Sequence, residues 1–185
     1  GIPFKEKQFL NPTNPYSASK AAADMIVNAY KKSYNMNIST LRANNIYGIR
    51  QYPGKLIPKT IFCLLTKKKM PIHGDGNNYR HYLSVDDFCD GVIKIIENGK
   101  LNEIYNISSD RHYKVKDIVK IIAKNLNKDF KSNIKFVQDR PFNDKIYKIN
   151  CTKLKRLNWK VKRNLINDIS IICDWYKSNI NLFIK

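Results

Sequence analysis

Two hydrophobic rhythms alternate along the chain. Apolar residues recur at spacings of three and four in several stretches, which marks amphipathic helices; short runs of branched and aromatic residues between them mark strands. The pattern predicts a helix from about 15 to 34 and a strand near 38–42. A polar loop containing Gly48, Pro53 and Gly54 leads to a helix starting near Leu56. A short strand at 71–73 and a Gly74-Asp75-Gly76 turn come next. Val85-Asp86-Asp87-Phe88 opens a helix running to about Asn98, with Val92, Ile93, Ile95 and Ile96 apolar. A strand at 103–107 and a helix at 115–125 carrying Ile118, Val119, Ile121 and Ile122 follow. A strand at 134–137 and an amphipathic helix at 165–179 complete the series. Strands alternating with helices predict an α/β fold with a largely parallel sheet.

The first helix carries the candidate chemistry. In Asn14-Pro15-Tyr16-Ser17-Ala18-Ser19-Lys20, Asn14 suits the N-cap and Pro15 the first helical position. An i,i+4 spacing stacks Tyr16 and Lys20 on one face. A tyrosine with an ordinary pKa of about 10 is a poor acid-base catalyst at neutral pH. A neighbouring ammonium favours the phenolate and brings the hydroxyl toward the working range.

Composition narrows the function classes. The 185 residues are 43% hydrophobic, enough to bury a core. No apolar run approaches the roughly 20 residues of a membrane span, and no secretory signal is visible. The formal charge of +19 comes from 34 basic and 15 acidic residues, a balance that raises on-rates for anionic ligands. Only 7 of the 34 are arginine, and the lysines are scattered, so nucleic acid is an unlikely partner. The run Lys67-Lys68-Lys69 reads as a solvated turn between apolar stretches. Cys63, Cys89, Cys151 and Cys173 show no metal-ligand spacing and read as small buried hydrophobes of a reducing, cytoplasmic setting; no metal site is expected. His73, His81 and His112 lie apart in sequence and read as isolated from one another. The chain has 7 glycines and no Gly-x-Gly-x-x-Gly, so a dinucleotide's pyrophosphate cradle would lie outside this sequence. The abrupt opening, without an initiator methionine, suggests a piece of a longer protein.

In combination, these segments resemble one enzyme family. Pro12 to Asp24 is similar to the active-site helix of the extended short-chain dehydrogenase/reductase superfamily. Leu41-Arg42-Ala43-Asn44-Asn45-Ile46-Tyr47-Gly48, followed by Gln51-Tyr52-Pro53-Gly54-Lys55-Leu56-Ile57-Pro58, resembles the dTDP-glucose 4,6-dehydratase branch. Pro71-Ile72-His73-Gly74-Asp75-Gly76, Tyr79 to Asp87, Ile104-Tyr105-Asn106-Ile107, Asp139-Arg140-Pro141 and Leu157-Asn158-Trp159 follow in that family's order.

The resemblance implies a Rossmann-type domain for NAD and a smaller C-terminal α/β domain for a nucleotide-sugar. Residues 1–50 would be the last part of the first, and 51–185 mainly the second, with some segments returning to the Rossmann sheet. It implies oxidation at the sugar C4, loss of water across C5–C6 and return of hydride to C6, with dTDP-glucose the expected substrate. Tyr16 would be the base, Lys20 would hold the nicotinamide ribose, and Asn44 would join them at the cofactor. Asn45 would contact the substrate diphosphate, placed just after a strand where α/β folds put ligand contacts. Lys55 and the amides of Leu56 and Ile57, at a helix start, would hold phosphate. Arg80 and Arg140 offer guanidinium forks suited to a diphosphate. Pro71 and His73 would lie by the substrate, with His73 at a position where many bacterial members carry a tyrosine near the base. Asn143 would reach phosphate, although Phe142-Asn143-Asp144 departs from the Gly-His-Asp of many members. The Thr-Asp-Glu that the family uses for dehydration does not occur, and the only adjacent acidic pair, Asp86-Asp87, reads as a helix start. This stretch alone is therefore expected to be inactive, and its parent an enzyme and a homodimer. The alternatives are a related epimerase or decarboxylase and a non-catalytic nucleotide-sugar-binding module.

Overall fold

Helix α1 (Pro15–Ser33) begins as its sequence requires. Asn14 Oδ1 accepts from the Ser17 amide at 2.9 Å, while Ser17 Oγ accepts from the Asn14 amide at 3.1 Å, a reciprocal capping box. Pro15 occupies the first turn, where its missing N–H costs nothing. Lys31 and Lys32 sit in the last turn, where cations complement the helix dipole. The computed structural model describes residues 3–139 and 148–183.

After α1 come β1 (Thr40–Ala43), β2 (Asn45–Tyr47), α2 (Leu56–Leu65), β3 (Met70–His73), β4 (Tyr79–Ser84) and α3 (Val85–Asn98). The chain continues through β5 (Ile104–Ile107), β6 (His112–Lys114), α4 (Val115–Asn125), β7 (Ile134–Val137), α5 (Thr152–Lys155) and α6 (Leu165–Ser178). The α/β expectation holds, with three small sheets in place of one among the described residues. β1 pairs parallel with β5, and β3 with β7. β4 lies between β2, to which it is parallel, and β6, to which it is antiparallel. Strands β2, β4 and β6 are absent from the hydrophobic pattern, and β1 starts two residues later than expected.

Helices α2, α4 and α6 share the largest core, which includes Ile57, Ile61, Leu64, Ile118, Ile122, Ile169, Ile172 and Tyr176. Each such aliphatic side chain contributes roughly 1.5–3 kcal/mol on burial. A second cluster joins Leu83, Tyr105, Ile107, Leu154 and Trp159. The third places Met70, Ile72, Val119 and Ile134 together under β3.

Two buried polar anchors tie these layers. The Tyr47 hydroxyl donates to Asp168 Oδ2 at 2.7 Å; burial first, and then that carboxylate, push its pKa far up. Asp87, at the start of α3, is 1% exposed. Its two carboxylate oxygens accept the amides of Lys162 and Arg163, both at 3.0 Å, and its carbonyl accepts from Trp159 Nε1 at 2.9 Å. The Asp86-Asp87 pair is thus a helix start, with Ser84 Oγ accepting the Asp87 amide as N-cap.

The cysteine expectation holds in part. Cys151 and Cys173 are buried, which pushes both thiols up to about 11. Cys63 is only half-buried and Cys89 is exposed on α3, because neither helix turns that face fully into a core. Among the described residues no cluster of three or more metal-binding side chains occurs, and no helix is long and apolar enough to cross a membrane.

Candidate active site

The candidate residues occupy the ends of short elements. Tyr16 is on the first turn of α1 and Lys20 one turn later, and both are exposed, Tyr16 at 73%. α1 buries only Ala21, so Ala22, Met25, Ala29 and Tyr30 all face outward and belong to no core of this chain.

Asn44 and Asn45 lie where the chain leaves β1 and enters β2. Asn44 is buried, its amide nitrogen Nδ2 donating to Ser108 Oγ at 2.8 Å and its backbone N–H to the Ile107 carbonyl at 3.3 Å. Asn45 opens β2, opposite Tyr82 of β4, and its Nδ2 donates to the His81 carbonyl at 3.1 Å. The register therefore sets Asn45 beside the strand that carries Arg80. Arg80 is half-buried, and its Nη1 donates to the Tyr79 carbonyl at 2.7 Å.

The loop from Gly48 to Lys55 is braced at Gln51. Its Nε2 donates to the Ile46 carbonyl at 2.6 Å, and its own carbonyl accepts the Tyr176 hydroxyl at 2.7 Å. Lys55 then caps α2 with extended backbone and makes no side-chain capping bond. The first amides of α2, those of Leu56 and Ile57 included, therefore have no side-chain partner from their cap, and an anion suits that position.

Pro71 and His73 sit on β3, in the parallel pair with β7, opposite Lys135 and Val137. His73 is exposed, with Nδ1 3.2 Å from the Gln138 carbonyl. The structure thus brings Asn45 and Arg80 onto neighbouring strands, with Asn44 at the junction before β2, and puts Pro71 and His73 in a separate sheet. Arg140 and Asn143 lie outside the described residues.

Two observations depart from the sequence expectations. His81 and His112 are not isolated; they are cross-strand partners on β4 and β6, with ring centroids 5.5 Å apart. Ser108 and Ser109, both buried, form the hydrogen-bonded floor beneath Asn44. Neither residue carries a motif that would have singled it out.

Two open clefts lie elsewhere, against β1. One of about 200 Å³ is lined by Asp24, Met25 and Val27 of α1 with Thr40 and Arg42. The other, about 180 Å³, lies between Leu41 and the α3 residues Val92, Ile95 and Ile96. Neither contains a candidate site residue. They flank a strand that has one paired neighbour among the described residues.

The sequence model of one family, GDP-mannose 4,6 dehydratase, matches residues 1–170. The chain belongs to this family. Within it and around it, the chain is 42% identical over 174 residues to the trifunctional UDP-glucose 4,6-dehydratase/UDP-4-keto-6-deoxy-D-glucose 3,5-epimerase/UDP-4-keto-L-rhamnose-reductase RHM2 of Arabidopsis thaliana, covering 94% of this chain and 26% of that protein. It is 39% identical over 214 residues to the dTDP-D-glucose 4,6-dehydratase of Dictyostelium discoideum, covering 97% of this chain and 49% of the other. The crystal structure of DesIV, a dTDP-glucose 4,6-dehydratase from Streptomyces venezuelae with NAD bound, matches 100% of the chain with a TM-score of 0.93 at 30% identity, and 57% of that chain is covered. The chain spans between about a quarter and three-fifths of the length of these relatives. The GDP-mannose 4,6 dehydratase family assignment agrees with the α/β architecture and with the order of the motifs.

Proposed function

We propose that the protein is an NAD-dependent nucleotide-sugar 4,6-dehydratase acting on dTDP-glucose. The observation that carries this reading is the Tyr16/Lys20 pair on a capped helix, in a chain that superposes over its whole length on DesIV. The donor set fits NAD: a phenol oxygen and an ammonium, exposed on successive turns, suit the hydroxyls of a ribose. Bound NAD would supply reversible hydride acceptance at the sugar C4.

Tyr16 takes the C4 hydroxyl proton as general base, and Lys20 stands one turn away on the same helix. Lys20, with Asn44, also holds the cofactor side. Asn45, Lys55, the amides of Leu56 and Ile57, and Arg80 bind the substrate diphosphate, joined by Arg140 and Asn143; Pro71 and His73 border the thymine of the substrate. The acid-base pair for losing water comes from sequence other than this chain's. The single strand neighbour of β1 among the described residues and its parallel pairing with β5 support residues 1–50 as the end of a larger Rossmann sheet to which later segments return. Residues 51–185 are then mainly the nucleotide-sugar domain. The outward Met25, Ala29 and Tyr30 of α1 support a homodimer formed through that helix. The protein works in the cytoplasm.

The test is product analysis with the protein at the full length of its relatives, supplied with NAD and dTDP-glucose or UDP-glucose. Formation of a 4-keto-6-deoxy sugar from dTDP-glucose supports the reading. A C4-epimer or a decarboxylated product, or turnover of UDP-glucose alone, overturns it in reaction or in base.

A further inference from the structure

His81 is 6% exposed, and its two ring nitrogens have unequal surroundings. Nδ1 lies 2.8 Å from the Ser109 carbonyl, which can only accept, so Nδ1 carries the proton in the neutral ring. Nε2 is then a lone-pair acceptor, buried and without a hydrogen-bond partner among the described residues. The same Ser109 carbonyl accepts from Ser108 Oγ at 3.0 Å. That hydroxyl has spent its single proton, so it accepts from Asn44 Nδ2 at 2.8 Å. On the other side, the backbone carbonyl of His81 accepts from Asn45 Nδ2 at 3.1 Å. Asn44, Ser108, Ser109, His81 and Asn45 are therefore joined in one continuous relay. It spans two strands and the segment after β5, with every donor direction fixed. Three of its links involve side chains at most 8% exposed, where an unmet polar group is expensive.

We propose that His81 is a positioning residue, which through Ser109 and Ser108 sets the orientation of Asn44 and through its own carbonyl that of Asn45. The relay couples the asparagine read as facing the cofactor to the one read as facing the diphosphate; this coupling role rests on the reading of Asn44 and Asn45 above. It also makes the pair sensitive to protons. Adding a second proton to His81 creates a buried Nε2–H with no acceptor among the described residues, and the ring must shift to find one. That shift loosens the Ser109 bond on which the relay depends. The groups facing the ring are His112 of β6, Asp110 after β5, and Lys148. Burial first holds the imidazole below its usual range; the Ser109 carbonyl opposes this, His112 and Lys148 reinforce it, and Asp110 opposes it.

The test combines NMR and binding on the whole chain, comparing wild type with His81→Asn, whose amide can still donate to the Ser109 carbonyl but does not titrate. The side-chain amide signals of Asn44 and Asn45 are followed from pH 8 to 5. Both should move along the titration curve of the His81 ring in the wild type and stay fixed in His81→Asn. Asparagine signals that ignore the His81 titration, or that move identically in the variant, overturn the proposal. The second arm measures affinity for dTDP-glucose, whose diphosphate diester does not titrate in this range. We expect affinity to fall about threefold to tenfold more in wild type than in His81→Asn between pH 7.5 and 5, a span that reaches below the ordinary imidazole range, where the folded state holds this ring. Equal pH dependence in the two proteins would overturn the coupling to binding. Absence of dTDP-glucose binding at pH 7.5 would instead count against the substrate reading, while the amide titration still decides the role of His81.

Discussion

Asp86 and Asp87 are neighbours of the same charge on the first turn of α3, and removing them should have very unequal consequences. Asp87→Ala deletes two carboxylate bonds, to the amides of Lys162 and Arg163, and leaves both donors facing an apolar methyl. A hydrogen bond to a charged group is worth about 1.5–3 kcal/mol, and stranded buried donors add to the loss. Water reaches the exposed 162–163 segment, so the expected destabilisation is about 3 kcal/mol, not the full sum. For a chain of this length that lowers the melting temperature by roughly 6–12 °C. Asp86→Ala removes only a 3.6 Å contact with Arg163, from a side chain that is 69% exposed. Such pairs contribute about 0–1 kcal/mol, so its effect should stay under about 1 kcal/mol. Urea unfolding followed by tryptophan fluorescence measures both, since Trp159 donates to the Asp87 carbonyl and reports on that junction directly. Equal losses for the two variants, or a loss below about 1 kcal/mol for Asp87→Ala, would refute the assignment of Asp87 as a structural anchor.

Three further outcomes follow from the packing. Tyr47→Phe removes the hydroxyl that Asp168 accepts and should destabilise by about 1.5–3 kcal/mol in the same unfolding assay, moderated because Arg163 still faces Asp168 at 3.4 Å. Gly91→Ala puts a methyl 2.4 Å from Ile107 Cδ1 inside the second core; calorimetry should show a loss of about 1–3 kcal/mol from overpacking. Because the folded state holds His81 below its ordinary value of 6.5, its contribution to stability is complete above that pH and is lost as the pH falls from 6.5 through the folded-state value. Denaturation midpoints from pH 8 to 5 should therefore decline less steeply in His81→Asn than in wild type.

Helix positions were legible in the sequence wherever local chemistry decided them. Asn14-Pro15 and Ser84 are caps whose partners lie three residues away, and the predicted limits of α3 and α4 match the structure to the residue. Strands β2 and β6 have three residues each, too few to display a period. β4 ends in four consecutive buried residues, so alternation is lost where both of its faces are covered. The candidate positions near Asn45 and Lys55 are proposed from a resemblance carried by two short, contiguous blocks of sequence. The pairing of His81 with His112 depends on strand register across thirty residues, and the Ser108–Ser109 floor on a parallel crossover. Neither contact leaves a trace in hydrophobic pattern or in composition. The outward face of α1 was also beyond reach, since one apolar surface serves equally to build a core or to meet another surface.

The central claim is that Tyr16 acts as the base and Lys20 supports it. Its most direct test is steady-state kinetics of Tyr16→Phe in the protein at the full length of its relatives, with NAD and dTDP-glucose. The account predicts a fall in kcat of at least about 100-fold, as loss of a positioned general base produces, with KM for dTDP-glucose held within about threefold because the diphosphate contacts are untouched. A kcat within about threefold of wild type would contradict it.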